Sequence, residues 1–297
     1  MEYVLQTHNL TKRFGTKKAV NNVSINIKKG DIYGFIGRNG AGKTTLMRLV
    51  LGAAVPTSGS MELFGGKNLN SARHRIGSLI EAPSLYKDCT AFENLKRFSL
   101  LTGNSDKELN TILRFVGLGD TGNKKVGQFS LGMKQRMGIA IAMLGHPDFL
   151  ILDEPINGLD PAGIRDIRDL ILRLNQELGM TILVSSHLLD ELAKVVTTYG
   201  IINNGELVEE ISSKELEAKC THRLLITVDD TDRAVQIIRR IVGNARISVD
   251  GKTVILRSHL EDSGRINKAL VEAGITVSEL DRQAGSLENY FIERIGG

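Results

Sequence analysis

The chain has 297 residues, a formal net charge of +4, 41% hydrophobic and 24% charged residues, no tryptophan and two cysteines. Such a length suits one large and one small domain rather than a single core, and Cys89 and Cys220 make neither a disulfide framework nor a metal site. The longest apolar and glycine run, residues 138–145, is far shorter than the roughly 18 residues of a membrane span, and the positive charge lies in scattered pairs such as Lys28-Lys29 and Arg239-Arg240 rather than in a nucleic-acid-binding stripe. The opening MEYVLQTHNL has no basic region followed by an apolar one, so no secretory signal is expected and the cytosol is the expected compartment.

Alternating apolar residues predict strands over 3–7, 23–27, 31–36 and 60–64. Between the last two, residues 37–45 read GRNGAGKTT and open an apolar-periodic helix predicted over 44–51. Gly37, Gly42, Lys43 and Thr44 satisfy the fingerprint GxxxxGK[ST]. With Arg38, Asn39, Gly40, Ala41 and Thr45 they form a loop whose N–H groups can turn inward onto an anion at a helix N-terminus. Lys43 is suited to the β- and γ-phosphates and the Thr44 hydroxyl to a Mg²⁺, so a nucleoside triphosphate is the expected ligand.

A helical region is predicted over 90–117, opened by Thr90 and Glu93 as a capping box. Helix 131–144, strand 149–152, helix 161–178, strand 181–185 and helix 188–198 then alternate, which predicts a mainly parallel sheet covered by helices. Asn203-Asn204-Gly205 predicts a hairpin turn into a strand over 206–211. After a polar stretch over 214–221 the order becomes strand 224–228, helix 232–242, a hairpin of 246–249 and 253–256, helix 261–273 and strand 275–280. That is the ferredoxin-like sequence of elements, and a last helix follows over 286–294. From residue 222 onward 11 Lys and Arg meet 11 Asp and Glu, so the excess charge belongs to the first domain. Cys220, His222 and His259 are too scattered to suggest a metal.

The apolar run 149–152 ends in Asp153 and Glu154, at the strand edge where open parallel sheets place their ligands. Asp153 is suited to hold Mg²⁺ and Glu154 to orient or deprotonate water beside the γ-phosphate. Residues 129–136, FSLGMKQR, offer the Ser130 hydroxyl and the Gly132 N–H at a second helix start. One chain cannot easily bring both termini to the same phosphate, so two copies facing head to tail are inferred. Asn157-Gly158-Leu159-Asp160-Pro161 is a turn with Asp160 as N-cap. His187, after Ser185 and Ser186 at a strand end, can contact the γ-phosphate.

In this order GRNGAGKTT, FSLGMKQR, LILDEP, NGLDP and SSH resemble the Walker A, signature, Walker B, D-loop and switch-histidine elements of ABC-transporter ATPases, over residues 1 to about 215. The resemblance implies a P-loop α/β fold with a mixed sheet, ATP and Mg²⁺ as ligands, and a sandwich dimer. In it Lys43 and Glu154 of one subunit serve a site completed by Ser130 and Gly132 of the other, with His187 expected to be catalytic and Asp160 to bind nucleotide. It also implies that Phe14 stacks under the adenine. The expected domains are 1–221, with a helical subdomain at about 86–146, and a small α+β ferredoxin-like accessory domain over 222–297.

Two positions depart from the family pattern. Glu81 stands in IGSLIEAPSLY where most members carry Gln, and Leu131 stands where Gly is usual. The glutamate would add charge near Mg²⁺ and the attacking water. Both segments resemble the ATPases of bacitracin and lantibiotic resistance exporters. The expectation is therefore an ATP-hydrolysing exporter subunit, peripheral on the inner face of the cell membrane through a separate transmembrane permease that docks around residues 81–86. Exporters of unrelated drugs or lipids remain the alternative. ATPases acting on nucleic acid share the head, but residues 45–130 hold no sustained heptads and only one P-loop exists.

Overall fold

The computed structural model describes residues 2–220, 223–283 and 287–295. The chain divides into two compact units, Met1–Ser213 and Lys214–Gly297. The division precedes the expected 221/222 boundary because helix Ser213–Lys219, with Leu216 as its buried residue, forms where a polar stretch was expected.

The first unit is built on a six-stranded sheet. Its order is Glu206–Ser212, Thr198–Asn203, Ile32–Ile36, Thr181–Ser186, Phe149–Leu152 and Ile76–Leu79, parallel throughout except for the hairpin at the first edge. Every residue of the three central strands Ile32–Ile36, Phe149–Leu152 and Thr181–Ser186 is buried, as expected of strands covered on both faces. A second, antiparallel sheet is formed by Tyr3–Phe14 pairing with Lys17–Val23, Asn26–Lys28 and Ser58–Leu63. Helix Lys43–Leu51 buries Leu46, Met47, Leu49 and Val50 in one cluster with Leu5, Ile27 and Leu63 of the antiparallel sheet and Phe35, Ile151 and Leu183 of the parallel one.

The expected helical region over 90–117 is two helices, Ala91–Ser99 and Asp106–Phe115. The chain restarts at Ser105, whose side chain accepts from the N–H of Glu108 while Glu108 reaches back, a second capping box. Fully buried Asn94 ties the first of these helices to the loop before it. Its Oδ1 accepts from the Tyr86 N–H at 2.8 Å, and its Nδ2 donates to the carbonyls of Tyr86 and Thr90, each at 3.0 Å. Helix Leu131–Ala142 lies against strand Ile76–Leu79, close enough that a Cβ at Gly77 would stand 1.8 Å from the Ala142 carbonyl oxygen.

The helix expected over 188–198 is cut to Leu189–Leu192, and Thr198–Asn203 is a strand paired parallel with Ile32–Ile36. Val195 and Val196 still close a turn on the Leu192 carbonyl, and at the β-branched pair Thr197-Thr198 the chain joins the sheet, the Thr197 N–H donating to the Ile32 carbonyl.

In the second unit the strands Arg223–Val228, Ile247–Asp250, Thr253–Leu256 and Val277–Gln283 form one antiparallel sheet, in which Arg223–Val228 and Thr253–Leu256 are central. Helices Thr231–Val242 and Ser263–Glu272 bury Ala234, Ile238, Ile266 and Leu270 against Leu224, Ile226, Val254 and Leu256. The element order matches the sequence expectation. The last helix is described over Leu287–Ile295, Ser286 lying outside the described residues.

Candidate nucleotide site

Strand Ile32–Ile36 feeds the glycine loop, which ends at Gly42, the N-cap of helix Lys43–Leu51. Gly42 has φ 111, and a Cβ there would stand 2.3 Å from the Ala19 carbonyl oxygen, so only glycine fits. No side chain caps this helix. With glycine at the N-cap the omission costs about a few tenths of a kcal/mol, against on the order of 6 kcal/mol from its four buried apolar side chains. Burial therefore holds the helix, and its N–H groups are left to a ligand rather than to a cap.

Six side chains converge on this terminus. Lys43 Nζ donates to the Gly37 carbonyl at 2.6 Å and stands 3.1 Å from Glu154 Oε1. That oxygen is buried and accepts no hydrogen bond, so Lys43 meets it as a charge rather than as an aligned donor. His187 Nδ1 lies 2.8 Å from Glu154 Oε2, and because a carboxylate only accepts, the imidazole donates there. The Thr44 hydroxyl donates to Asp153 Oδ2 at 2.6 Å, and the Ser185 hydroxyl donates to Asp153 Oδ1 at 2.6 Å. Glu154 has φ 49, a left-handed backbone that β-carbon-bearing residues adopt only when the surroundings hold it.

The cavity beside these groups is about 350 Å³ and is lined by Phe14, Lys17, Asn39, Gly40, Lys43 and Thr45 among others. Phe14 is 56% exposed at its mouth, with Lys12 Nζ 5.0 Å from the ring centroid. A flat apolar face, a lysine and a helix start in one open cavity suit a base at one end and phosphates at the other.

Residues 20–157 match the family model described as ABC transporter. The chain is 44% identical to the bacitracin transport ATP-binding protein BcrA of Bacillus licheniformis, over 100% of this chain and 99% of that protein. The chain belongs to the ABC transporter family. It is 42% identical to the lantibiotic transport ATP-binding protein SrtF of Streptococcus pyogenes over 75% of this chain and 98% of that protein. Its fold matches the ATP-binding cassette MJ0796, solved as a dimer in a post-hydrolysis state bound to ADP and Pi, with TM-score 0.63 and 26% identity over 70% of this chain and 98% of that one. As an ABC ATP-binding protein the chain binds nucleotide and hydrolyses ATP.

Several residues expected from the ABC motifs stand apart from the cavity. Ser130 is exposed and caps helix Leu131–Ala142 through the Met133 N–H, and Leu131 beside it is 47% exposed. Gly132 faces Leu159 and Gly163 of the same chain. Asp160 caps helix Pro161–Leu178, its Oδ1 accepting from the Gly163 N–H at 3.0 Å. Glu81, expected as a metal ligand and catalytic group, is not brought to Asp153. Its exposed carboxylate is paired with Arg48, one helical turn beyond Thr44 on the same face of helix Lys43–Leu51, and the guanidinium neutralises it there. Ser185 was overlooked in the sequence. The signal was a hydroxyl near the end of a strand whose neighbours are apolar and whose every residue is buried.

Proposed function

We propose that this chain is the ATP-hydrolysing subunit of an exporter of antimicrobial peptides of the bacitracin and lantibiotic kind, acting with a separate membrane-spanning permease. The convergence of Lys43, Glu154 and His187 beside Thr44 and Asp153 carries the hydrolytic part of this reading. Full-length identity to a bacitracin transport ATP-binding protein supports the exporter class.

In this reading Lys43 and the loop N–H groups bind the phosphates, and Phe14 takes the base. The buried, unbonded Glu154 Oε1 accepts from the attacking water, and His187 orients the other oxygen of that carboxylate. The Thr44 hydroxyl and the Asp153 carboxylate are hard oxygen donors that fit Mg²⁺. When bound, that ion neutralises charge on the phosphate oxygens. Ser130 and Gly132 sit at an exposed helix start that does not line their own chain's cavity, so a second copy arranged head to tail supplies them to it. Asp160 lies at the same face.

No helix among the described residues is long and apolar enough to cross a membrane, and the permease supplies the spans. The protein then works on the cytoplasmic face. Tyr86 is 51% exposed and lies beside Phe98, an aromatic surface next to the 81–86 segment that suits a permease helix. Residues 214–297 act as a ferredoxin-like accessory domain to the ATPase domain of residues 1–213, and no nucleic acid takes part. The test is co-expression with a candidate membrane-spanning permease in a bacitracin- and lantibiotic-sensitive host. The pair should raise tolerance and neither chain alone should do so. ATP turnover stimulated by DNA or ribosomes and indifferent to permease vesicles would overturn the reading.

A further inference from the structure

Ser185 is completely buried in the central strand Thr181–Ser186, beside the end of Phe149–Leu152. A hydroxyl there must find both an acceptor and a donor, and it does. It donates to Asp153 Oδ1 at 2.6 Å and accepts from the backbone N–H of Glu154 at 2.8 Å. Asp153 Oδ2 is taken by Thr44 at 2.6 Å. The Asp153 carboxylate is thus pinned at both oxygens, once from the phosphate-loop helix and once from a separate strand. The second bond of Ser185 falls on the residue whose backbone is left-handed at φ 49 and whose carboxylate is turned toward Lys43 and His187.

We propose that Ser185 is a positioning residue that sets both acids at once. Holding Oδ1 leaves Oδ2 as the Asp153 oxygen presented with Thr44 to a divalent cation. Accepting from the Glu154 N–H fixes the left-handed turn that aims Glu154 across the loop. Ser185 touches neither nucleotide nor water itself. The inference rests on the ATPase reading above and adds that cation affinity and turnover pass through one hydroxyl on a strand that carries none of the phosphate-binding groups.

A merely space-filling role would be served by Ala or Cys, whereas positioning requires a hydroxyl. The test uses the full chain with Ser185→Ala, Ser185→Cys and Ser185→Thr. Mn²⁺ affinity in the presence of ADP is read from the free-ion EPR signal, with ATP affinity in EDTA, turnover and melting midpoint alongside. Ser185→Ala and Ser185→Cys should weaken Mn²⁺ binding about 10-fold or more and lower kcat about 10- to 100-fold. ATP affinity without metal should not fall, because the loop and Lys43 stay in place and any loosening of Glu154 from Lys43 favours the triphosphate. Ser185→Thr keeps the hydroxyl but crowds a buried site, so it should melt lower yet hold Mn²⁺ as the wild type does. Should Ser185→Thr fail to fold, the Cys variant, which keeps the shape of Ser with sulfur in place of oxygen, decides the matter. Wild-type Mn²⁺ affinity and kcat in a folded Ser185→Ala or Ser185→Cys would overturn the inference alone. A wild-type chain that neither hydrolyses ATP nor binds Mn²⁺ with ADP would overturn the ATPase reading as well.

Discussion

Replacing Glu154 by Gln should strengthen ATP binding and abolish most turnover, two effects of opposite sign from one charge. Glu154 Oε1 lies 3.1 Å from Lys43 Nζ, and Lys43 is held on its other side by the Gly37 carbonyl at 2.6 Å. At the Lys43–Glu154 separation of 3.1 Å, unit charges attract by about 5 kcal/mol at an effective dielectric of about 20. A triphosphate must share Lys43 with this carboxylate, so part of that attraction opposes binding. Gln keeps the shape and an acceptor for His187 but not the charge. Because Lys43 keeps Gly37 and the cavity opens to solvent, screening leaves on the order of 1–2 kcal/mol, or about 10-fold tighter binding. The amide cannot take a proton from water, and losing a general base costs about 10²- to 10⁴-fold in rate. Phosphate release and equilibrium titration with an ATP analogue, on purified full-length protein, measure both. A Gln variant that turns over at the wild-type rate, or that melts normally and binds ATP more weakly, would refute this account of Lys43 and Glu154.

Alkaline stability should be governed in part by Tyr33, which is fully buried and donates to Glu210 Oε1 at 2.8 Å. Burial first, and the Glu210 charge second, hold its pKa well above the ordinary 10.0. The folded chain then keeps a proton that the unfolded chain releases, so stability is intact below about pH 10 and falls as pH rises above it. Tyr33→Phe should flatten that alkaline limb in urea melts and cost about 1.5 kcal/mol at neutral pH from the lost bond to a charged acceptor; an unchanged limb would place the alkaline sensitivity elsewhere. Gly77→Ala should be among the most destabilising single methyl additions, since its Cβ would meet the Ala142 carbonyl oxygen at 1.8 Å. A loss of about 3 kcal/mol or more is expected by thermal melt, and a normal melting midpoint would show that helix Leu131–Ala142 packs farther from the sheet.

The phosphate loop was legible in the sequence because its chemistry is local: glycine spacing, a lysine and a hydroxyl within nine residues, flanked by a strand and a helix. Asp153 and Glu154 were legible because acids after an apolar strand have few structural reasons to be there. The second helical capping box was equally visible as Ser105 followed by Glu108, yet the expectation stopped at a helical region over 90–117 because apolar periodicity alone does not register a break. Strand Thr198–Asn203 was missed because the helix expected over 188–198 ran up to its first residue and nothing was assigned to residues 199–202, whose order comes from pairing with Ile32–Ile36. Ser185 and Arg48 depend on contacts across 32 and 33 positions of chain, which no local pattern carries. Arg48, paired with Glu81 in the structure, is a partner that motif alignment does not show.

The buried amide of Asn94 takes both backbone groups of Tyr86 onto one side chain. Such a joint has no play. The loop cannot slip by a residue along helix Ala91–Ser99 without abandoning both bonds together, and tilting would misalign one of them. A push delivered at Tyr86 is therefore handed to the whole helix as displacement rather than absorbed as loop strain. The side chain acts as a stiff coupling between a surface that another protein can press and the layer of helices behind it.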